Sequence, residues 1–296
     1  MKRPVLHKGD TVMIVSPSWH KGDARTYPME NFLNAHGFEV ETHPQCALKW
    51  GQVAGTVAER VTAIHEAFLD DSIQGIFCAA GGYGALQLLS QLDYELIRRN
   101  PKVFVGYSDI TALLAAFYQK AGLVTYHGPM GCFMTDKENE PTTQSMWQML
   151  LAESGTIHLR GDAIQSGEAK GVLLGGNMTV FDQLIGTEYM PMADDIILFL
   201  EDTTDEKINE LDKKLLHLKH AGYLSHVRGV ILGEMDKLAD NAVPFGFKTK
   251  DILARYLPNI PAVMNVKCGH EETLLTFPYG AEVMLQTGEK NKLIMI

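Results

Sequence analysis

The amino-acid sequence predicts an α/β fold built on a mostly parallel, doubly wound sheet. Short runs rich in Val, Ile and Phe recur between residues 11 and 126, and segments with helical periodicity separate them. Hydrophobic residues make up 46% of the 296-residue chain and charged residues 21%, which is typical of a folded protein with a sizeable core. Because strands that alternate with helices assemble as parallel βαβ units, we expect helices on both faces of the sheet.

Five segments of the N-terminal half have the composition of strands. They are TVMIV (11–15), FEVE (38–41), IQGIFCAA (73–80), KVFVGY (102–107) and LVTYH (123–127). The clearest helix follows the second of them, in TVAERVTAIHEAFLDD. There Thr56 and Glu59 form a capping-box pattern, and apolar residues from Val57 to Phe68 recur at helical spacing.

A change in composition near the middle of the chain predicts a domain boundary. A polar stretch at 136–143 is followed by a helical segment at 145–153 and by a segment rich in Gly, Ser and charged residues at 154–171. We place the boundary so that the two domains cover residues 1–152 and 153–296.

The C-terminal half is again a mixture of strands and helices. Strands are predicted at VLLGG (172–176), DDIILFLED (194–202) and GVILGEM (229–235). Helices are predicted from Asn177 and in the amphipathic segment KINELDKKLLHLKHAG (207–222). The tail is β-rich, and TGEKNK (287–292) is typical of a hairpin turn.

The charge of the chain argues against nucleic acid and anionic membranes as partners. Lys and Arg number 26 against 36 Asp and Glu, a formal net charge of −10, and no basic run could follow a phosphate backbone. The longest uncharged stretch, from Ser72 to Leu92, contains three glycines and several Gln and Ser residues. It is therefore predicted to be a strand, a loop and a helix rather than a membrane span.

Cysteine usage and the N-terminus bear on the compartment. Cys46, Cys78, Cys132 and Cys268 lie far apart and form no C-x-x-C pair, so neither a disulfide framework nor a zinc site is predicted. The first 15 residues contain no apolar core of signal-peptide length. We therefore expect a reducing, cytoplasmic location.

The segment VFVGYSDITALL (103–114) places a serine where a strand ends and a helix begins. In an open α/β sheet, ligands bind beyond the carboxyl ends of the strands, and Ser108 lies just past one of them. A sharp turn there exposes the serine Oγ and presents the following backbone N–H groups to an oxyanion. The G-Y-S-D sequence matches only half of G-x-S-x-G, because Ile110 replaces the second glycine. The alternative is that Ser108 simply caps the helix.

A serine nucleophile needs a general base and a group that orients the base. His270 follows a predicted strand and a glycine, where few packing demands require an imidazole. His217 and His220, by contrast, share one face of a charged helix, where they are either solvated or spaced for a metal. The candidate for the orienting acid is Glu201, which ends a strongly apolar strand. Asp202 is the alternative, and either acid could instead be a solvated loop residue.

A second glycine-rich turn, AAGGYGALQLL from Ala79, follows another strand and opens another helix. Because glycine has no Cβ, this backbone could approach a substrate and donate an N–H to an oxyanion. One alternative is a tight structural turn, and another is a dinucleotide fingerprint. Gly82 and Gly84 begin such a fingerprint, but Gln87 stands where its third glycine belongs.

Together these motifs resemble the LD-carboxypeptidase family of serine peptidases, family S66, which includes murein tetrapeptide carboxypeptidases and microcin C immunity peptidases. The motifs occur in the same order along nearly the whole chain: SPS (16–18), GGYGA (81–85), GYSDIT (106–111), HGP (127–129), LLGGN (173–177), LFLED (198–202), and GH followed by LTFPYG. The resemblance implies an N-terminal Rossmann-like, or flavodoxin-like, domain. It also implies a C-terminal α/β domain with a small β-barrel-like sheet.

Carried over residue by residue, the resemblance implies a Ser-Glu-His triad. Ser108 would be the nucleophile, His270 the general base and then acid, and Glu201 the carboxylate that holds the imidazole. Backbone N–H groups of Asp109 and Gly82 would bind the oxyanion. The first domain would supply the nucleophile and the second the other two residues, so the active site would form at their interface. The resemblance implies no metal and no organic cofactor.

The resemblance also implies the reaction, which is peptide hydrolysis through an acyl-enzyme. The usual family substrate is the murein tetrapeptide, cleaved between the L-centre of diaminopimelate or lysine and a terminal D-alanine. We therefore expect a small peptide as the partner, a role in peptidoglycan recycling, and a homodimer.

The chain departs from the family at positions that bear on the substrate. Many murein-cleaving members carry an arginine where this chain has Ala80, and a Tyr-Arg pair where it reads TTDEKIN (203–209). Others often have a proline near the position of Glu271 and Glu272. These departures leave the triad intact but alter the region expected to contact a substrate carboxylate.

Two other functions compete with murein cleavage. The first is an amidase of peptidyl or aminoacyl nucleotides, like the microcin immunity members, with Trp147 and Phe181 as candidates to stack on a base. The second is a nucleotide-binding module without hydrolytic activity that uses GGYG as a phosphate turn. The missing third glycine and the acidic net charge count against the second function.

Overall fold

The computed structural model describes residues 2–21, 23–131, 134, 140–203, 206–234, 238–257, 259–270 and 273–296. Several positions named above lie outside the described residues: Cys132, residues 136–139, Thr204, Asp205, Met235, Glu271 and Glu272. The chain divides into two compact units, Met1–Glu153 with Leu275–Tyr279, and Ser154–Leu274 with Gly280–Ile296. The short segment Leu275–Tyr279 thus belongs with the first unit, a return of the chain that the sequence did not indicate.

Fourteen strands and eight α-helices, numbered in chain order, make up the regular structure of the described residues. The strands are β1 Thr11–Val15, β2 Glu39–Thr42, β3 Ile73–Cys78, β4 Val103–Gly106, β5 Thr125–His127, β6 Thr156–Leu159, β7 Asp162–Gln165, β8 Gly167–Asn177, β9 Ile196–Glu201, β10 Val227–Leu232, β11 Ala262–Met264, β12 Phe277–Tyr279, β13 Glu282–Thr287 and β14 Asn291–Met295. The helices are α1 Asp23–Ala35, α2 Val57–Leu69, α3 Tyr94–Arg99, α4 Thr111–Ala116, α5 Glu140–Leu150, α6 Met178–Asp182, α7 Ile208–His220 and α8 Thr249–Tyr256.

The first unit contains a six-stranded sheet in the order β2-β1-β3-β4-β5-β12. The strands from β1 to β5 pair in parallel, and β12 joins the edge antiparallel to β5. Each of the five strands predicted in this half corresponds to one of them. The order 2-1-3-4-5 is the flavodoxin-like, doubly wound arrangement, so the predicted fold class is confirmed. In this arrangement ligands bind beyond the carboxyl ends of β1 and β3, where the winding direction reverses.

Local sequence signals account for the helix that lies between β2 and β3 in the chain. The N–H of Glu59 donates to Thr56 Oγ1 (3.3 Å), and the N–H of Thr56 donates to the Glu59 carboxylate (2.7 Å). The predicted capping box is therefore confirmed at the start of α2. The segment after the glycine turn differs from prediction, because it forms a 3-10 helix, Ala85–Gln91, instead of an α-helix.

The second unit contains an eight-stranded mixed sheet in the order β6-β14-β13-β8-β9-β10-β11-β7. The four strands β8, β9, β10 and β11 pair in parallel, and the others are antiparallel. The predicted hairpin is confirmed, since β13 and β14 pair with Gln286 opposite Lys292.

This sheet must curl upon itself. Its two edge strands, β6 and β7, are separated in the chain only by Arg160 and Gly161. Three steps between Cα atoms span at most about 11 Å. Eight flat strands would hold the two edges roughly 33 Å apart. The short link therefore requires strong curvature, as expected for a barrel-like sheet. None of the helices in the described part of the chain is long and apolar enough to cross a membrane.

Candidate active site

The nucleophile candidate Ser108 lies in a sharp turn directly after β4. Its φ is +62°, and among the described residues only two other non-glycine positions have positive φ, both of them asparagines. Serine rarely adopts this left-handed conformation, which costs on the order of 1–3 kcal/mol, so the surroundings must hold the turn. Tyr107 is the cap residue of the 3-10 turn Ser108–Ile110, and Ile110 is the cap residue of α4. The alternative that Ser108 caps the helix is therefore wrong.

Two glycines allow close packing around this turn. At Gly106 an added Cβ would lie 2.5 Å from Ile110 Cγ2, so glycine is needed where Ile110 packs over the end of β4. At Gly81 an added Cβ would lie 2.9 Å from Ser108 Cβ and 3.2 Å from Ser108 Oγ. The glycine turn after β3 thus runs directly against the serine, an approach that a residue with a Cβ would prevent.

Gly82 is the position at which the sequence predicted an oxyanion donor. Its φ is +104°, and an added Cβ would lie 2.2 Å from Trp19 Cδ2. The N–H of Trp19 donates to the Gly81 carbonyl (3.3 Å). The indole therefore packs on the backbone of the glycine turn, and a side chain at position 82 would displace it.

The side chain of Asp109 ties three loops of the first unit together. It is 5% exposed, and its Oδ2 accepts hydrogen bonds from Ser18 Oγ (2.5 Å) and from the N–H of Ala85 (2.9 Å). Burial raises the pKa of this carboxyl group, and the two hydrogen bonds and the charge of Arg60 oppose that rise. The sequence predicted a role only for the backbone N–H of Asp109. Its carboxylate in addition fixes the loops after β1 and β3 to the turn that contains Ser108.

A fully buried arginine supports the same loops. Arg60 extends from α2, and its guanidinium donates to the carbonyls of Pro17 (2.7 Å), Gly84 (2.9 Å) and Gly55 (3.2 Å) and to Gln87 Oε1 (2.7 Å). A guanidinium offers five donors in a rigid fork, so one side chain can hold several carbonyls at once. Arg60 therefore fixes the loop after β1 and the end of the glycine turn in one arrangement.

The second unit brings together the predicted acid and base. Glu201 ends β9 with 1% of its surface exposed, and His270 Nδ1 lies 2.8 Å from Glu201 Oε2. Since an ionised carboxylate only accepts, Nδ1 carries the proton and donates it. Two glycines pack on this acid: an added Cβ would lie 2.8 Å from Glu201 Oε2 at Gly269 and 3.0 Å from Glu201 Cβ at Gly233.

The environment of His270 changes its proton affinity. Burial lowers the pKa of the imidazole, but the hydrogen bond to Glu201 and the negative charges of Glu201 and Asp202 outweigh it. The pKa of His270 therefore lies above its usual value. This is the expected effect of a carboxylate that stabilises an imidazolium.

Asp202, the alternative acid, belongs to a different cluster. Its carboxylate accepts from Asn177 Nδ2 (3.1 Å) and from the N–H (3.1 Å) and Oγ1 (2.7 Å) of Thr179. Lys214 Nζ lies 3.4 Å from Asp202 Oδ2 and 3.4 Å from Glu206 Oε2. Asp202 therefore pairs with a buried lysine and holds the start of α6, whereas Glu201 is the acid that contacts the histidine.

The remaining candidates have structural contacts. Phe181 is fully buried against Tyr223, and Trp147 stacks on Phe38 with ring centroids 5.2 Å apart. Phe181 therefore packs in a protein core, and the half-buried Trp147 ring is already stacked on Phe38. His217 Nδ1 lies 2.9 Å from Asp182 Oδ1. The described residues contain no group of three or more His, Cys, Asp or Glu side chains placed to hold a metal ion.

Two supporting groups, Arg60 and the carboxylate of Asp109, were not predicted from the sequence. The signal for Arg60 was present, because a charged residue occupied the apolar face of α2 three and four positions before Ala63 and Ile64. Its hydrogen-bond partners, by contrast, come from loops distant in sequence, which periodicity does not reveal.

The fold and these two clusters define a class of protein. The first unit has a serine on a strained strand-to-helix turn, and the second has a histidine held by a buried carboxylate; serine hydrolases on α/β scaffolds use these residue types. Residues 12–128 match the LD-carboxypeptidase N-terminal domain, and residues 170–285 match the LD-carboxypeptidase C-terminal domain. The chain belongs to the LD-carboxypeptidase family, and it is a serine-type carboxypeptidase.

Relatives and solved structures agree with this assignment. The chain is 31% identical to the probable murein peptide carboxypeptidase of Bacillus subtilis, over 99% of this chain and 94% of that protein. It is 28% identical to the microcin C7 self-immunity protein MccF of Escherichia coli, over 97% of this chain and 93% of that protein. The crystal structure of an MccF-like protein from Bacillus anthracis has a TM-score of 0.90 and 32% identity, and covers 100% of this chain and 99% of that one.

Proposed function

We propose that the protein hydrolyses the bond between the L-centre and the terminal D-alanine of murein tetrapeptide, with Ser108, Glu201 and His270 as the catalytic triad. The observation that carries the proposal is the hydrogen bond between His270 and the buried Glu201 carboxylate, in a member of the LD-carboxypeptidase family. Similarity to a probable murein peptide carboxypeptidase over nearly the whole chain supports the choice of substrate.

The tautomer of His270 gives the direction of proton transfer. With Nδ1–H donating to Glu201, the lone pair of the neutral imidazole lies on Nε2. Nε2 takes the proton of Ser108 Oγ as the oxygen attacks the peptide carbonyl, and the imidazolium then gives that proton to the leaving D-alanine amine. Water hydrolyses the acyl-enzyme by the same route in reverse. The raised pKa of His270 favours the imidazolium that forms in the first step.

Backbone donors stabilise the oxyanion in this proposal. The N–H groups of Asp109 and Gly82 would point at the carbonyl oxygen once it becomes negative. The left-handed conformation of Ser108 and the close approach of Gly81 support this assignment. The carboxylate of Asp109 and the guanidinium of Arg60 hold these two loops before substrate arrives, so little reorganisation is needed in the transition state.

A second candidate is hydrolysis of a peptidyl or aminoacyl nucleotide. Similarity to MccF and to an MccF-like protein favours it. The rings first considered for base stacking do not support it, because Phe181 packs in a core and Trp147 already stacks on Phe38. The exposed aromatic residues of the first unit include Trp50 (60%) and Tyr83 (49%), and Tyr83 belongs to the glycine turn.

The experiment that tests the proposal follows D-alanine release by mass spectrometry. Wild type and Ser108→Ala are incubated with L-Ala-γ-D-Glu-diaminopimelate-D-Ala, and circular dichroism establishes that the variant is folded. Release by the wild type alone would support both reaction and nucleophile. Release by both proteins would exclude Ser108 as the nucleophile. Release by neither would reject the tetrapeptide as substrate and favour the acyl-nucleotide.

A further inference from the structure

A pocket in the first unit is lined by cationic and aromatic side chains. Its volume is about 340 Å³, and the residues that line it are Trp19, His20, Lys21, Lys49, Gly51 and Gln52. None of these six is acidic, although the chain has a formal net charge of −10. Two ammonium groups without a lining carboxylate form a site that attracts anions.

The pocket lies where the sheet topology favours ligand binding. Trp19, His20 and Lys21 follow β1, whose neighbour β3 leads into the glycine turn. The winding of the sheet reverses between these two strands, which is where doubly wound sheets bind their ligands. The N–H of His20 donates to the Gln52 carbonyl (2.9 Å), so the two loops that form the pocket are joined.

A short series of contacts connects the pocket to Ser108. Gly81 lies against Ser108, since an added Cβ would meet the serine Cβ at 2.9 Å. The next residue, Gly82, lies against the Trp19 ring, where an added Cβ would approach within 2.2 Å. Lys21 Nζ is 4.6 Å from the centroid of the same ring. Within the glycine turn, Gly81 therefore lies beside Ser108, and Gly82 lies beside the wall of the cationic pocket.

We propose that this pocket is an anion subsite of the enzyme, in which Lys21 and Lys49 bind a carboxylate or phosphate group of the substrate. The inference rests on the proposed function, because it places the substrate at Ser108. A cation–π contact holds Lys21 over Trp19, which limits the motion of a flexible ammonium group and leaves its charge available.

Two polar atoms in the pocket wall support a role in binding. Trp19 Nε1 and His20 Nδ1 are buried, and the described part of the chain gives neither a hydrogen-bond partner. A buried polar atom without a partner costs about 1–3 kcal/mol, so a ligand or water that supplied a partner would recover part of that free energy. Small shifts of this loop on binding would offer both atoms to an oxyanion or to an ordered water.

Binding is measured by calorimetry in the Ser108→Ala variant, which prevents turnover. The two ligands are L-Ala-γ-D-Glu-diaminopimelate-D-Ala, which carries carboxylates, and adenosine monophosphate, which carries a phosphate. Lys21→Gln and Lys49→Gln are made singly and combined in this background, and Lys290→Gln is the control for each single variant because it removes one positive charge from the exposed turn between β13 and β14. Lys21→Arg tests whether restoring the charge restores binding.

The double substitution is expected to raise the dissociation constant of one of the two ligands about tenfold. It should also reduce the salt dependence of that ligand's binding, because salt screens surface charges. Lys290→Gln should stay within twofold. Loss confined to the peptide identifies a carboxylate as the group bound, and loss confined to the nucleotide identifies a phosphate. Equal affinity of the parent and the double variant for both ligands would overturn the proposal, and so would failure of both ligands to bind the parent.

Turnover separates this inference from the proposed function. In the wild-type background, the double substitution should raise KM for the tetrapeptide about tenfold and leave kcat within twofold, since the lysines contact no reacting atom. Lysine-dependent binding without D-alanine release would refute murein cleavage and leave the subsite standing. D-alanine release with unchanged KM in the double variant, together with unchanged affinity for adenosine monophosphate, would refute the subsite and leave murein cleavage standing.

Discussion

The surroundings of Ser108 and those of His270 are held in place by different kinds of interaction. Around Ser108, the arrangement depends on backbone conformation, on glycines without a Cβ and on a buried carboxylate that ties loops together. Around His270, it depends on one hydrogen bond between two titratable side chains. The first cluster should therefore respond to added atoms and backbone strain, and the second to charge and pH. In the proposed triad, geometry therefore prepares the nucleophile and electrostatics prepare the base.

The largest effect is expected at Ser108, where activity and strain can be separated. Ser108→Ala and Ser108→Gly should both lower kcat by about 10⁴-fold or more, because each removes the nucleophile. The free energy of unfolding of Ser108→Gly should be about 1 kcal/mol higher than that of Ser108→Ala, since glycine adopts φ +62° without strain. Urea unfolding of the two variants measures this difference. Equal stabilities would mean that the turn stores no strain.

The next largest effect is expected from neutralising one of two adjacent acids. Glu201→Gln should lower kcat roughly 10³-fold with little change in stability, because the amide no longer stabilises an imidazolium on His270. Asp202→Asn should lower the stability and change kcat little, because it removes a negative charge that pairs with the buried ammonium of Lys214. Steady-state kinetics and thermal unfolding of both variants test the contrast. Equal kinetic losses would contradict the separate roles of the two acids.

A smaller effect, on both stability and rate, is expected at the glycine turn. Gly82→Ala adds a Cβ at φ +104° that would lie 2.2 Å from the Trp19 ring. Gly122→Ala is the matched control, since its φ is +66° and nothing lies within 4 Å of the added atom. The control should lose about 1 kcal/mol of unfolding free energy, and Gly82→Ala about 1–3 kcal/mol more with a lower kcat. Similar losses in both variants would show that the Trp19 indole moves away from the added Cβ at little cost in free energy.

The smallest effect is a shift in the pH profile of kcat/KM. His270 acts as a base only when neutral, so activity should rise with pH through a pKa above the usual histidine value. Glu201→Gln removes the negative charge that helps to raise this pKa, and it replaces a charge-assisted hydrogen bond by a weaker one to a neutral amide oxygen. The residual activity of that variant should therefore rise at a lower pH than in the wild type. An acid limb at the same pH in both proteins would argue that another group titrates.

Much of the fold was predictable because its signals are local. The five N-terminal strands, the capping box of Thr56 and Glu59 and the hairpin between β13 and β14 each depend on residues close together in sequence. The candidate triad was named from motif order, and the contact of His270 with Glu201 matches its expected partner. That contact joins residues 69 positions apart, so periodicity alone could not have assigned it.

What the sequence did not predict depends on contacts between distant segments. The positive φ of Ser108 is held by packing against the glycine turn, which approaches it through Gly81, 27 positions earlier in the chain (108 − 81). The loop contacts of Arg60 and the Asp109 carboxylate likewise involve residues up to 91 positions apart. Residues 275–279 read as a C-terminal strand, and nothing in their composition indicates that they pair with β5.

That returning strand has a consequence for how the chain is made. The first sheet ends with β12, which pairs with β5, so its edge is complete only when residue 279 has left the ribosome. Until then, the N–H and C=O groups on that edge of β5 lack their native partners and can pair with another chain. At a synthesis rate of roughly 5–20 residues per second, the wait after residue 127 lasts on the order of ten to thirty seconds. During the second half of translation, β5 therefore lacks its native neighbour β12.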